Sequence, residues 1–167
     1  MGKLRLLTII LVLVVFCGCV QQKADSRAFF CPADACEERI ISAIKSANST
    51  IDVAMYSFTS QKIGQALGDA QKRNVRVRVV MDRLQSASGS SVTQEGLADD
   101  GIETRIYDRA TLHDKFAIID EKVVLTGSYN WTKNANESNR ENLLMLFDRG
   151  IAEEYENEFF TLWIEAG

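Results

Sequence analysis

Histidine is nearly absent from this chain, since His113 is the only one in 167 residues. Of four cysteines, Cys17 and Cys19 fall in an N-terminal apolar stretch, leaving only Cys31 and Cys36 for the rest of the molecule. A zinc site built on that pair would need two further ligands, which two chains would have to share. Around His113 there is neither a second histidine nor a cluster of carboxylates to hold a catalytic ion. Proline occurs once, at Pro32, where it ends a strand. The longest apolar run, Leu6 to Val20, falls short of the roughly 20 residues a membrane-spanning helix needs. A basic excess is lacking too: the net charge is −4. Losing residues 1–18 would leave 17 basic against 23 acidic residues, a net −6. That balance weighs against tight nucleic-acid binding, although a local basic face from Arg76, Arg78, Arg83, Arg105, Arg109, Lys133 and Arg140 stays open. No internal repeat or second domain is visible, and a 46% hydrophobic content suits one domain with a substantial core.

What is present begins with an address. Lys3 and Arg5 precede the apolar run, as in an export signal. Phe16-Cys17-Gly18-Cys19 then resembles a lipoprotein cleavage site that would leave Cys19 lipidated, though Phe16 and Cys17 depart from the usual aliphatic and small residues. An uncleaved membrane anchor and simple secretion are the alternatives. The expected organisation is residues 1–20 as export signal or membrane anchor, 21–27 as a tether and 28–167 as a catalytic domain. The protein would then be exported and held on the outer face of the cell membrane through its N-terminal segment. In that setting Cys31 and Cys36 read first as a disulfide, with free thiols and a shared zinc site as the other readings.

Strands are expected at Ala28 to Cys31, Ile51 to Phe58 and Val75 to Val79, the last with one buried and one wet face because Arg76 and Arg78 alternate with valines. Further strands are expected at Ile102 to Tyr107, Lys115 to Asp120, Val123 to Thr126 and Asn142 to Phe147. Asp34 with Glu37 reads as a capping start for a helix carrying Ile40, Ile41 and Ile44, and Ser60 opens a second helix. Residues 86–91 form a serine- and glycine-rich loop, followed by a short helix stopped by Gly101. An amphipathic helix from Ile151 to Trp163 closes the chain. Helices and strands that alternate early, followed by hairpin-connected strands, predict an α/β fold with a mixed β-sheet flanked by helices on both faces.

His113-x-Lys115, then Asp120, then Gly127-Ser128-x-Asn130 is the informative constellation. Six residues fixed at such offsets arise by chance at about 10⁻⁸ per position, at roughly one in twenty each. They supply a neutral imidazole nucleophile, an ammonium for phosphoryl oxygens, and hydroxyl and amide donors beside it. A hairpin turning near Glu121 brings residue 113 opposite 129 and 115 opposite 127, so Ser128 and Asn130 return beside His113. Asp120 sits at the turn and reads as a turn-capping residue rather than a catalytic one. Gly127 would let the backbone bend or approach a ligand closely.

These residues, with Ala54-Met55-Tyr56-Ser57-Phe58-Thr59 and the stretch from Asn130-Trp131-Thr132-Lys133 to Glu141-Asn142, resemble the phospholipase D superfamily from about Phe29 to Trp163. A single motif per chain looks like its subgroup of small phosphodiesterases and nucleases, which includes a bacterial endonuclease and membrane-anchored mitochondrial relatives. The resemblance implies that Glu141 orients the histidine, where a surface carboxylate is the plainer reading. With no second histidine or carboxylate cluster near the motif, catalysis is expected without metal or other cofactor, Lys115 and the Asn130 amide stabilising the charge.

One imidazole bonded to phosphorus cannot protonate the leaving oxygen as well. The economical solution is a homodimer in which two copies of His113 face one phosphate, in keeping with a family that uses two motifs per site. The expected function is therefore a nuclease acting on DNA or RNA. A phospholipase acting on a phospholipid such as cardiolipin is the alternative, and a non-enzymatic surface binding module the second.

Overall fold

The structure is a computed structural model that describes residues 25–87, 92 and 94–167. The expected export signal, the Cys19 site, the first part of the tether and most of the loop 86–91 lie outside the described residues. The described chain runs β1 (Asp25–Cys31), α1 (Cys36–Ser46), β2 (Thr50–Met55), α2 (Gln61–Lys72), β3 (Arg76–Asp82), α3 (Arg83–Ser86) and α4 (Gln94–Asp99). It continues with β4 (Glu103–Tyr107), β5 (Lys115–Ile119), β6 (Val123–Gly127), α5 (Lys133–Glu137), β7 (Glu141–Phe147) and α6 (Arg149–Glu165). The strands form one seven-stranded sheet in the order β1-β7-β6-β5-β2-β3-β4. β2, β3 and β4 are parallel, while β5, β6, β7 and β1 run antiparallel to their neighbours, so the sheet is mixed.

Side-chain alternation divides the core into two layers. Ile51, Val53 and Met55 of β2 join Val77 and Val79 of β3 in a layer capped by Ile40 and Ile44 of α1 and by Ile63 and Leu67 of α2. Ala54, Val80, Phe116 and Ile118 face the other way, under Phe159, Leu162 and Trp163 of α6. Helices thus cover both faces. Each large α6 side chain buried here contributes about 2–3 kcal/mol, which makes α6 the lid of the second layer.

Several local expectations are corrected. β1 starts at Asp25, inside the segment read as tether, because its full length pairs with β7 from Asp25↔Phe147 to Cys31↔Glu141. The wet face assigned to β3 is not wet at Arg78. That side chain is 15% exposed and makes a bidentate pair with buried Asp52, Nε–Oδ1 2.6 Å and Nη2–Oδ2 2.8 Å. It lies beneath the Phe159 and Trp163 rings of α6. The capping start at Asp34 does not form either: α1 begins at Cys36 behind Ala35, whose φ is 54° and which offers no side-chain cap. The Asp34 carboxylate instead accepts from the Phe30 N–H at 2.7 Å. Glu37 turns inward and accepts from Ser60 Oγ at 2.6 Å and Lys62 Nζ at 2.9 Å. Ser60 caps α2 as expected, its hydroxyl accepting from the Ile63 N–H. The closing helix is longer than its apolar pattern indicated and is capped by Asp148, which accepts from the Gly150 and Ile151 N–H groups.

Candidate active site

The hairpin joining β5 and β6 has the expected register: Phe116 faces Thr126 and Ile119 faces Val123. The turn is made by Asp120 (φ 52°) and Glu121 (φ 54°), both left-handed. The Asp120 carboxylate reaches away from the hairpin's open end. It accepts from the backbone N–H groups of Asn48, Ser49 and Thr50 at 3.0, 2.7 and 3.1 Å, and from Ser49 Oγ at 2.9 Å. Partial burial alone would raise its pKa, but these donors outweigh that and hold it at about 2. Asp120 therefore ties the hairpin turn to the loop between α1 and β2, at the end of the sheet opposite His113.

His113 lies just ahead of β5 rather than on it, with its side chain exposed. Its imidazole packs against the Tyr56 ring, centroids 4.7 Å apart at 56°. Lys115 is the first residue of β5. Its ammonium curls back to donate to the His113 carbonyl at 2.6 Å and sits 4.9 Å from the Tyr56 ring centroid. Desolvation by burial lowers the Lys115 pKa, against the opposing pull of Asp114 and Glu141.

On the return strand, Tyr129 and Trp131 point into the α1–α2 layer, Trp131 edge-on to Phe58 at 5.1 Å. The alternation sends Ser128 and Asn130 the other way. Among the described residues, Asn130 Oδ1 is buried with no hydrogen-bond partner. Ser128 Oγ donates to Glu141 Oε2 and accepts from the Asn142 N–H at 3.1 Å. The other Glu141 oxygen accepts from Asn139 Nδ2 at 2.9 Å. Glu141 thus bonds Ser128 and Asn139, whereas the resemblance implied His113 as its partner.

Gly127 has φ +145°, and a Cβ there would lie 2.8 Å from Asn142 Oδ1 and collide with the Asn142 carbonyl. The glycine serves the close approach of β7. Cys31 and Cys36 are joined as a disulfide, Cα atoms 5.8 Å apart, linking the end of β1 to the start of α1.

A cleft of about 380 Å³ opens on the α6 side of this end of the sheet. His113, Lys115 and Thr126 form one wall, and Glu154, Tyr155 and Glu158 of α6 the other. The cleft is therefore cationic on the hairpin side and anionic on the helix side. None of the scattered arginines lines this cleft. Arg78 is held by Asp52, and Arg105 Nη1 and Arg109 Nε donate to the Trp163 and Glu165 carbonyls at 2.5 and 2.9 Å. Arg76 begins β3 at the opposite end. A larger groove of about 500 Å³, lined by Phe29, Arg39 and Phe147 among others, includes none of the motif residues.

Two neighbours of His113 escaped the sequence reading as site residues. Tyr56 was legible only as part of a family-like string. Asp82, 2% exposed, accepts from the Leu112 N–H at 3.1 Å, one residue before His113; nothing in its local sequence announces that role.

The family model described as "Cardiolipin synthase, PLD-like domain" matches residues 40–163. The chain is similar to the mitochondrial cardiolipin hydrolase of Xenopus tropicalis, 36% identical over 141 residues, which cover 81% of this chain and 66% of that protein. It is also similar to a phospholipase D of Rickettsia prowazekii, 36% identical over 135 residues, covering 79% of this chain and 64% of the relative. The chain thus spans about two thirds of the length of these relatives. Among solved structures, the phospholipase D family member Nuc from Salmonella typhimurium superimposes with a TM-score of 0.81 at 30% identity, covering 87% of this chain and 97% of Nuc. NucT from Helicobacter pylori superimposes with a TM-score of 0.77 at 26% identity, covering 86% and 98%. With a family model matching most of its length and the expected sheet beneath the motif, this chain belongs to the phospholipase D-like family.

Proposed function

We propose that this protein is a phosphodiesterase that cleaves nucleic acid through a phosphohistidine intermediate, as a homodimer and without metal. The observation that carries the reading is an exposed imidazole at the mouth of a cleft, with an ammonium two residues on and the buried Asn130 amide oxygen unpartnered among the described residues. His113 attacks phosphorus, forming an N–P bond as a P–O bond breaks. The leaving oxygen takes its proton from His113 of the partner subunit. Water then attacks the phosphohistidine, giving its proton back to that second imidazole and releasing a phosphate monoester. Lys115 and Asn130 hold the phosphoryl oxygens, and Ser128 joins them once its hydroxyl turns away from Glu141.

The substrate reading draws on the whole-chain likeness to Nuc and NucT, which the chain matches over 97% and 98% of their lengths.

The second reading, a phospholipid substrate, is favoured by the cardiolipin hydrolases among its relatives. Full-length protein in detergent, assayed in EDTA against single- and double-stranded DNA, RNA and cardiolipin mixed micelles, decides between them. Cleavage of nucleic acid in EDTA is expected. A purified heterodimer of wild-type and His113→Ala subunits should be nearly inactive; half the wild-type rate would exclude the shared site.

A further inference from the structure

Tyr56 is the first residue past β2 and touches both members of the reacting pair. Its N–H donates to the Asp114 carbonyl at 2.8 Å, which fixes the backbone between His113 and Lys115. The ring lies 4.7 Å from the imidazole and 4.9 Å from the Lys115 ammonium. The ring is itself held: the Tyr56 hydroxyl accepts from Gln85 Nε2 at 3.2 Å. Gln85 belongs to α3, whose cap is Asp82, with Oδ1 accepting from the Leu84 and Gln85 N–H groups at 3.0 Å. The other oxygen of Asp82 holds the Leu112 N–H. The chain of contacts from His113 through Tyr56, Gln85 and Asp82 returns to Leu112 and closes on His113.

We propose that Tyr56 is a positioning residue that sets the imidazole of His113 and the ammonium of Lys115 against each other, with Gln85 and Asp82 bracing it. An exposed imidazole on a loop ahead of its strand has many rotamers, and Asp82 fixes only its backbone. The Tyr56 ring is what limits the imidazole. Because the same ring faces Lys115, it fixes the spacing of nucleophile and cation together. Among the described residues Glu141 bonds Ser128 and Asn139, while the Tyr56 ring packs directly on the imidazole.

The inference rests on His113 and Lys115 being the reacting pair, and its test avoids the choice of natural substrate. Full-length protein in detergent is assayed with bis(p-nitrophenyl) phosphate, beside the imidazole NMR signals, which are unambiguous in a protein with one histidine. Tyr56→Leu keeps apolar volume but removes the ring. It should lower kcat about 10²-fold, the cost of roughly 1 Å of misplacement, with KM within about threefold. It should also move the His113 signals. Tyr56→Phe keeps the ring, loses only the Gln85 tie and should recover to within about tenfold of wild type. If the leucine variant does not fold, Tyr56→Met carries the same comparison. A folded variant without the ring whose kcat stays within about twofold of wild type and whose His113 signals are unmoved would overturn the proposal. Full activity in His113→Ala would remove its foundation instead, and so separates the two failures.

Discussion

Asp120→Asn tests the division of labour inside the motif. The substitution keeps the shape and tolerates the left-handed φ of 52°, but it removes the charge and turns an amide donor toward the Asn48 N–H. The fall of the carboxyl pKa from 3.8 to about 2 corresponds to roughly 2.5 kcal/mol at most. The group is partly exposed, and solvent screening cuts that to about 1 kcal/mol. With the mismatched donor, the cost should be about 1–2 kcal/mol, or about 3–6 °C in Tm for a domain of this size. The sign follows from the depressed pKa. The stabilisation is fully present above the unfolded value of 3.8 and is lost as pH falls through about 2. Thermal melts of wild type and variant should therefore differ at pH 7 and converge between about pH 4 and 2. At 25 °C the variant should keep kcat within a few-fold, since its carboxylate contacts only the α1–β2 loop. An unchanged Tm combined with a collapse of kcat would place Asp120 in the chemistry and refute the structural assignment.

Two further perturbations follow from the site and its frame. Cys31 and Cys36 should resist alkylation until reduced, and the double serine variant should lose about 2 kcal/mol, the value for so short a closed loop; two alkylatable thiols in native, unreduced protein would contradict the bond. Replacing Glu154 and Glu158 by glutamine should lower KM for single-stranded DNA roughly three- to tenfold at low salt, an effect that fades near 0.1 M salt as the Debye length falls to about 10 Å. A KM that does not move would mean that nucleic acid does not pass the α6 wall.

The sheet and the hairpin register were legible because both rest on period-two alternation and on a turn whose centre two flanking strands define. Failures came where a tertiary partner overrode a local pattern. Arg78 alternates with valines like a solvated residue, yet it is covered because α6, 70 residues later in the chain, brings Phe159 onto it. Asp34 and Glu37 have capping spacing, yet Glu37 is drawn inward by Ser60 and Lys62. Gly127 read as a place to bend or to admit a ligand, and only the position of β7 reveals the Asn142 carbonyl against it. Asp82 and Tyr56 act on His113 from β3 and the end of β2, a link that exists only once β2 pairs with both β3 and β5.

That pairing explains why a single hairpin can carry most of a reactive site on a small domain. The β5–β6 ribbon is fastened at its closed end by Asp120 and along its length by β2 and β7. Its open end carries His113 and Lys115 to the cleft. A free end is also a loose end, and the geometry needed for in-line attack tolerates little looseness. The Tyr56–Gln85–Asp82 brace supplies rigidity from β2, β3 and α3 without occupying the cleft. On the proposed reading the motif residues provide the reacting groups, and residues remote in sequence hold them still. Substitution of Gln85, whose side chain ties the Tyr56 hydroxyl, should therefore act on kcat more than on stability, while substitutions at Asp120 lower stability at nearly unchanged kcat.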